Sequence, residues 1–325
     1  MKPCERQPRS SPGIHARPRL TQLDNARRAA MDARDDDLHL ALRLADLADA
    51  ISMARFDQPD LGQHVKGDSG IVTEADLQIE QVLRAELDRV RPRDAILGEE
   101  FGGTADHARV WMLDPIDGTA AFAAGNRDWS TLISLVEDGA PVVGVVSRPA
   151  WARRWWAAEG RGAFADGRRI RVSRTNRLGD AVMCDDFRHS AVRQILDNPV
   201  PVLAARCAHV IPWLHRASTL LPIAEAQADF LLNWWGGSGP DLSGGVCILT
   251  EAGGRFSDLH GVADFNADVQ LMSNGVLHDE LLATVNQMID AGQFDPTIEP
   301  TEDLEAIRRV RRHQSGPTRL GRPNS

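Results

Sequence analysis

The sequence lacks an excess of basic residues. It has 37 lysines and arginines against 46 aspartates and glutamates, which gives a formal net charge of −9 at pH 7. Proteins that bind nucleic acid normally carry a basic excess. The composition therefore argues against nucleic acid as a partner, and it is compatible with carboxylates gathered around cations.

Long apolar runs and closely spaced cysteines are also missing. No run reaches the roughly 18 apolar residues that a membrane helix needs, and the Arg/Pro/Ser-rich N-terminus has no apolar segment typical of a secretory signal. The four cysteines stand far apart, without a C-x-x-C pair. In a chain of this length such cysteines indicate reduced thiols. We therefore predict a cytoplasmic protein without a membrane segment.

The chain is long enough for about two domains, since it has 325 residues of which 42% are hydrophobic. The polar, basic and proline-bearing N-terminus predicts a disordered leader over residues 1–34, with the first helix beginning near Asp35. We predict two domains and a tail after it, as follows: an α+β metal-binding domain over 35–177, an α/β domain over 178–294 and a polar tail over 295–325.

Local patterns support this division. Apolar runs at 131–136, 142–147 and 155–158 are separated by tight turns, which predicts an antiparallel meander. After residue 178, strands and helices are expected to alternate, as in a small α/β unit. In that unit we predict a strand over 200–204 and a helix over 217–227.

The segment from Trp111 to Thr119, W-M-L-D-P-I-D-G-T, combines a strand with an acidic turn. Its apolar residues predict a strand that ends at Asp114, and the proline and glycine that follow predict a turn. Asp114 and Asp117 supply the oxygen ligands that Mg²⁺ prefers. Gly118-Thr119 would begin a helix whose N–H groups favour a phosphate. Taken alone, the pattern also fits an ordinary Asp-rich β-turn.

Three further acidic residues stand at the ends of predicted elements. Thr73 and Asp76 have the spacing of a helix-capping box. Glu99 follows a short apolar run, and Asp241 falls in the first turn of a helix predicted over 242–252. Each has an ordinary structural explanation, namely a cap, a solvated strand end, or a charge that complements the helix dipole.

Together these motifs resemble the inositol monophosphatase superfamily of Mg²⁺-dependent, lithium-sensitive phosphatases. The matching pieces, in order along the chain, are V-T-E-A-D ending at Asp76, G-E-E around Glu99, D-P-I-D-G-T from Asp114, and Asp241 followed by E-A-G-G. The resemblance covers residues 37–292 and implies an α+β fold, a layered αβαβα sandwich of the inositol monophosphatase/fructose-1,6-bisphosphatase type.

The resemblance also implies a role for each matching residue. Two or three Mg²⁺ ions per site would be held by oxygen ligands from Glu99, Asp114, Ile116, Asp117 and Asp241. Asp76 and Thr119 would orient the attacking water, with Asp76 accepting a proton through Thr119 and with Glu99 as the third catalytic residue. The phosphate would be bound by the amides of Gly118 and Thr119, and Asp241 would also contact the substrate.

The segments that begin at Arg91 (R-P-R-D-A-I-L-G-E-E) and Arg153 (R-R-W-W-A-A) resemble the histidinol-phosphate phosphatases of this superfamily. The resemblance therefore implies a homodimeric phosphomonoesterase that hydrolyses histidinol phosphate with a metal-activated water. An inositol-1-monophosphatase, or a related cyclitol or sugar phosphatase, remains the alternative. Ala120-Ala121 and Pro240 replace residues usual in the family, which leaves a non-catalytic protein that binds phosphate esters as a further alternative.

Overall fold

A computed structural model of the chain describes residues 18–56, 58, 62, 64–65, 71–186, 199–213, 219–234 and 239–296. The first element is a long helix, α1 (Pro18–Arg55). The prediction that order begins near Asp35 is wrong for residues 18–34, which lie in this helix. The disordered leader was predicted from the polar and basic composition of this segment. Its alanines, arginines and leucines are nevertheless good helix formers. Residues 1–17 of the predicted leader lie outside the described residues.

The inner face of α1 is lined by leucines and alanines. Leu40 and Leu44 are buried, and Ala41 and Ala45 are buried beside them. Leu47, which continues the helical spacing of these leucines, is 39% exposed. Small alanine side chains let the helix lie close to the sheet beneath it, so the apolar stripe is narrower than the leucine spacing indicates.

The second helix, α2 (Glu74–Val90), begins as predicted. The Thr73 hydroxyl accepts a hydrogen bond from the Ala75 N–H, and the Asp76 side chain accepts one from the Thr73 N–H. This is the reciprocal arrangement of a capping box. Ile79, among other apolar residues of this helix, is buried in the same core as α1.

The larger sheet of the described residues has eight strands in the order β10-β9-β8-β7-β6-β5-β3-β4. Strands β5 to β10 form the predicted antiparallel meander, whereas β3 and β5 are parallel. A separate two-stranded ribbon is formed by β1 and β2. The strands are β1 (His64–Val65), β2 (Ile71–Val72), β3 (Ala95–Gly98), β4 (Gly102–Gly103), β5 (Arg109–Asp117), β6 (Ser130–Glu137), β7 (Ala140–Arg148), β8 (Arg153–Ala158), β9 (Gly162–Ala165) and β10 (Arg168–Ile170).

Strand β5 is longer than predicted. It continues through Pro115 to Asp117 instead of ending at Asp114. Its register with β6 shifts between Asp114 and Asp117, which is the kind of irregularity at which a strand tolerates proline. The Pro115 carbonyl accepts a hydrogen bond of 2.8 Å from the Thr131 hydroxyl. The acidic motif is therefore the irregular end of a strand that stays paired, and the turn begins only at Gly118.

The smaller sheet has the order β12-β11-β13-β15-β14, with the first three strands parallel. Its strands are β11 (Val182–Asp186), β12 (His209–Trp213), β13 (Phe230–Trp234), β14 (Arg255–Ser257) and β15 (Val269–Ser273). Among the described residues, the remaining α-helices are α3 (Thr119–Ala123), α4 (Pro199–Ala204), α5 (Leu221–Ala224), α6 (Pro240–Glu251) and α7 (His278–Asp290).

Two predictions in this second region are wrong. The segment predicted as a strand over 200–204 lies in α4. Pro199 can begin a helix, and the strand preference of the valines after it does not prevent one. The helix predicted over 217–227 is reduced to the single turn of α5, since residues 219–220 and 225–227 are not helical and 214–218 lie outside the described residues. Strands β12 and β13 were not predicted.

The elements stack as helices, sheet, helices, sheet and helix. Helices α1 and α2 cover one face of the larger sheet, and α6 lies between the two sheets. Residues 242–249 of α6 are all buried, as expected for a helix that is enclosed on every side. Helix α7 packs on the outer face of the smaller sheet. No helix in the described ranges is both long and apolar enough to cross a bilayer.

Candidate active site

The five predicted carboxylates come from four elements whose ends meet at one edge of the larger sheet. Asp76 lies in the first turn of α2, Glu99 directly follows β3, Asp114 and Asp117 lie near the end of β5, and Asp241 lies in the first turn of α6. Strands β3 and β5 are parallel neighbours, so their carboxyl ends leave the sheet side by side.

Glu99 and Asp114 leave the sheet at adjacent points. Gly98 pairs with Leu113 in the parallel ladder, and the Glu99 N–H donates a 3.0 Å hydrogen bond to the Leu113 carbonyl. One more residue along each strand brings the two carboxylates together. This proximity follows from the parallel register.

Asp114 is the buried centre of an acidic group. Asp114 is 2% exposed. Burial raises the pKa of Asp114 well above its usual range, and the charges of Asp117, Glu99 and Asp241 raise it further. The other three carboxylates therefore each lie within electrostatic range of Asp114. Glu99 and Asp241 are exposed and Asp117 is half-buried, so the group opens from Asp114 towards solvent.

These donors fit a hard divalent cation in their chemistry. The buried Oδ1 atom of Asp114 has no hydrogen-bond partner among the described residues, and a buried oxygen of this kind carries a desolvation cost unless something pairs with it. Across the described ranges, no three Asp, Glu, His or Cys side chains already converge as metal ligands. Like charges repel when no cation lies between them, and a bound cation reverses that repulsion. Carboxylate oxygens suit Mg²⁺.

Asp76 contacts Thr119 as well as capping its own helix. Its Oδ2 atom accepts hydrogen bonds from the Thr73 N–H at 2.8 Å and from the Thr73 hydroxyl at 2.6 Å. Its Oδ1 atom lies 3.3 Å from the Thr119 hydroxyl, which is also 3.0 Å from the Ile116 carbonyl. The structural and the functional interpretations of Asp76 are thus compatible, because different oxygens serve them.

Burial raises the pKa of Asp76 to about 6, although hydrogen bonds from Thr73 oppose the rise and the charge of Glu99 adds to it. A carboxyl group with a pKa near neutrality is well suited to accept and return a proton during a reaction. The Thr119 hydroxyl connects Asp76 to the Ile116 carbonyl of the acidic motif. Asp76 and Thr119 therefore form a chain of two proton-bearing groups beside the carboxylates.

Gly118 makes the tight turn between β5 and α3. Its φ angle is +88°, and a Cβ atom added there would lie 2.8 Å from the Asp128 carbonyl. Beneath the turn, the rings of Phe122 and Trp129 meet edge to face with centroids 5.0 Å apart, and Phe56 lies 5.6 Å from both. The aromatic cluster fixes α3, whose first N–H groups have no partner within the helix.

Arg148 was missed by the sequence-based interpretation. It is buried at the end of β7, and its Nη2 atom lies 2.7 Å from Asp128 Oδ1. Burial lowers the pKa of Arg148, while the charges of Asp128 and Asp117 oppose that shift. The positive charge of Arg148 therefore lies within electrostatic range of Asp117, a member of the acidic group. The one sequence signal for it is an arginine that ends an otherwise apolar strand.

The sequence is similar to known proteins over most of its length. The model of the inositol monophosphatase family matches residues 35–290. A histidinol-phosphatase of Mycobacterium tuberculosis is 42% identical, with 77% of this chain and 98% of that protein covered. A histidinol-phosphatase of Streptomyces coelicolor is 39% identical, with 78% and 97% covered.

Solved structures agree with the fold. The chain superimposes on the IMPase of Thermotoga maritima with a TM-score of 0.66 at 28% identity, over 79% of this chain and 99% of that one. The resemblance predicted from the motifs and the α+β sandwich are both confirmed. The chain belongs to the inositol monophosphatase family of phosphatases.

Proposed function

We propose that the protein is a Mg²⁺-dependent phosphomonoesterase that hydrolyses histidinol phosphate with a metal-activated water. The observation that carries the proposal is the electrostatic group around buried Asp114, with the Asp76–Thr119 pair beside it. Family membership supports the reaction class. The geometry supports a division of labour between metal ligands, a proton acceptor and a phosphate-binding turn.

Five residues would hold the cations, and all of them offer oxygen. Asp114 is the buried carboxylate of this set, and the charges of Asp117, Glu99 and Asp241 act on it. The ligands are Glu99, Asp114, the Ile116 carbonyl, Asp117 and Asp241. Bound Mg²⁺ would activate a water and neutralise the charge on the leaving oxygen of the ester.

Asp76 would take up the proton that the attacking water loses. Thr119 lies between Asp76 and the Ile116 carbonyl, so its hydroxyl would orient the water and pass the proton to the carboxylate. The capping bonds from Thr73 hold the Asp76 side chain in one orientation while it does so. Positioning and charge stabilisation supply most of the catalysis in reactions of this kind.

The turn at Gly118 would bind the phosphate through the amides of Gly118 and Thr119. A helix N-terminus favours an anion, and the aromatic cluster below keeps this one in place. Asp241, exposed at the start of α6, would face the substrate as well as the second cation.

Histidinol phosphate is the favoured substrate because relatives of that name are 42% and 39% identical to this chain over nearly their full length. An inositol phosphate is the second candidate, since a solved IMPase shares the fold at 28% identity. By analogy with the family we also propose a cytoplasmic homodimer.

A panel of phosphate esters assayed with Mg²⁺ tests the proposal. The panel contains histidinol phosphate, inositol 1-phosphate, fructose 1,6-bisphosphate and adenosine 3′,5′-bisphosphate, each with and without a chelator. We expect Mg²⁺-dependent release of phosphate, fastest from histidinol phosphate. Folded protein that binds an ester in calorimetry but hydrolyses none of the panel would instead establish the non-catalytic alternative.

A further inference from the structure

Glu80 is a carboxylate buried within the apolar face of α2. It is 0% exposed, and a buried charge is costly unless it is paired and hydrogen-bonded. Its neighbours in the stripe, Ile79 and Leu83, are core residues. A carboxylate therefore occupies a position where an apolar side chain would ordinarily pack. Its partners explain why it is there.

Both oxygens of Glu80 are used by the loop that follows β3. Oε2 accepts a hydrogen bond of 2.7 Å from the Glu100 N–H, and Oε1 accepts one of 3.2 Å from the Phe101 N–H. These contacts reach across the sequence to backbone groups immediately after Glu99. A carboxylate that accepts from two successive amides fixes the direction of the peptide that carries them.

Arg84, on the solvent side of Glu80, contacts both Glu80 and the loop. Its Nε atom donates to Glu80 Oε1 at 2.8 Å, and its Nη2 atom donates to the Gly102 carbonyl. Gly98 leaves room for the carboxylate, since a Cβ atom there would lie 1.9 Å from Glu80 Oε1. The loop from Gly98 to Gly102 is thus held along its length by two side chains of one helix.

Glu99 is thereby fixed on both sides. Before it, the β3–β5 ladder holds its own N–H on the Leu113 carbonyl. After it, Glu80 holds the next two amides. The side chain of Glu99 is exposed, and the backbone held on either side sets the direction of its Cα–Cβ bond.

We propose that Glu80 is a positioning residue for Glu99, and that it sets the affinity of the acidic site for Mg²⁺. The proposal rests on the proposed function, in which Glu99 is a metal ligand. Residues that orient a metal ligand without touching the metal typically change metal affinity by about 10- to 100-fold when they are replaced. A residue with only a structural role would change stability and leave the affinity unaltered.

The test is Glu80→Gln, which keeps the size of the side chain but replaces one acceptor oxygen by a donor. The amide cannot accept from Glu100, Phe101 and Arg84 together. Mg²⁺ affinity is measured by titration calorimetry on the ester-free protein, and the Mg²⁺ half-saturation and the KM for ester are measured in steady state.

We expect Mg²⁺ to bind about tenfold more weakly or worse, with the KM for ester unchanged at saturating Mg²⁺ and with turnover restored by excess Mg²⁺. The matched control is Glu86→Gln, which replaces a glutamate of the same helix that pairs with Arg89 and with Arg43 of α1. It should leave Mg²⁺ affinity at the wild-type value.

Arg84→Gln provides a second variant if Glu80→Gln does not fold. Arg84 is partly exposed, and its removal frees the outer side of the loop while leaving the carboxylate in place. Its effect on Mg²⁺ affinity should have the same direction and a smaller size. Wild-type affinity in the folded variants would overturn the proposal. Wild-type protein that neither binds Mg²⁺ nor hydrolyses an ester would overturn the proposed function itself, so the two failures are distinguishable.

Discussion

Gly144 of β7 lies directly against the backbone of Gly244 in α6. A Cβ atom on Gly144 would come within 2.3 Å of the Gly244 carbonyl oxygen. Nearby, the buried hydroxyls of Ser134 and Ser243 are hydrogen-bonded at 2.6 Å. The helix that carries Asp241 therefore rests on the main chain of the larger sheet, and small residues set the depth at which it lies.

We predict that Gly144→Ala destabilises the protein by about 1–3 kcal/mol, because overpacking a close contact forces the backbone apart. Urea denaturation measures the loss. Displacement of α6 should also weaken Mg²⁺ binding, since Asp241 moves with it. The matched control is Gly179→Ala, at a position with no atom within 4 Å of the added carbon. Equal stabilities for the two variants would contradict the close contact.

We predict that Asp114→Asn abolishes turnover and yet stabilises the metal-free protein. The pKa of Asp114 is raised in the folded state, so the folded protein binds this proton more tightly than the unfolded chain does. The ionised carboxylate therefore opposes folding at neutral pH, and this opposition is relieved as pH falls. The asparagine removes the charge.

Thermal unfolding in the presence of a chelator measures the effect of Asp114→Asn. The midpoint should rise above that of wild type, and added Mg²⁺, which should stabilise wild type, should have little effect on the variant. Asp88→Asn, on the exposed side of α2, is the control and should change neither quantity. A variant that still turns over would show that Asp114 is not an essential metal ligand.

We predict that Asp76→Asn and Thr119→Val each lower kcat by about 10²- to 10⁴-fold, the range typical of general acid–base catalysis. Because the two residues act through one contact, the double variant should be little worse than either single one. Steady-state kinetics measure this, with Thr250→Val at the exposed end of α6 as the control. Additive losses would argue that Asp76 and Thr119 act independently.

We predict that His278 makes the metal-free protein less stable as pH falls below about 6.5. The His278 ring lies 2.9 Å from the hydroxyls of both Ser257 and Ser273. Burial, aided by the charge of Arg255, lowers the pKa of His278 to about 4. The unfolded chain therefore takes up this proton first, and the stability is lost between the unfolded and the folded pKa values.

Thermal unfolding at pH 7 and at pH 5 measures the His278 effect. His278→Gln keeps hydrogen-bonding groups but cannot titrate, so its midpoint should fall less between the two pH values than that of wild type. The control is His260→Gln, at an exposed position, whose midpoints should change with pH as those of wild type do. A wild-type slope in His278→Gln would assign the pH dependence to other groups.

Local signals were sufficient for much of the fold. The capping box at Thr73, the turns of the meander and the helix that begins at Pro240 each depend on neighbours within a few residues, and the structure has them as predicted. The family match confirms the motif-based resemblance. The extent of β5 beyond Asp114 was not predicted, because pairing with β6 overrides the local preference of a proline.

Features that depend on distant contacts were not accessible from the sequence. The role of Arg148 depends on its contact with Asp128. The role of Glu80 depends on the amides that follow Glu99. Strand β12 is a short run whose conformation follows from parallel pairing with β11. In each case a tertiary contact decides the conformation or role.

Helix α1 has a practical consequence for producing this protein. The family match begins at residue 35, but Arg34 forms ion pairs of 2.6 Å with Glu137 and 2.9 Å with Glu159, and the helix itself begins at Pro18. A chain that began at residue 35 would lack Arg34 and its ion pairs with Glu137 and Glu159. A shortened version for recombinant expression and crystallisation should therefore start at or before Pro18.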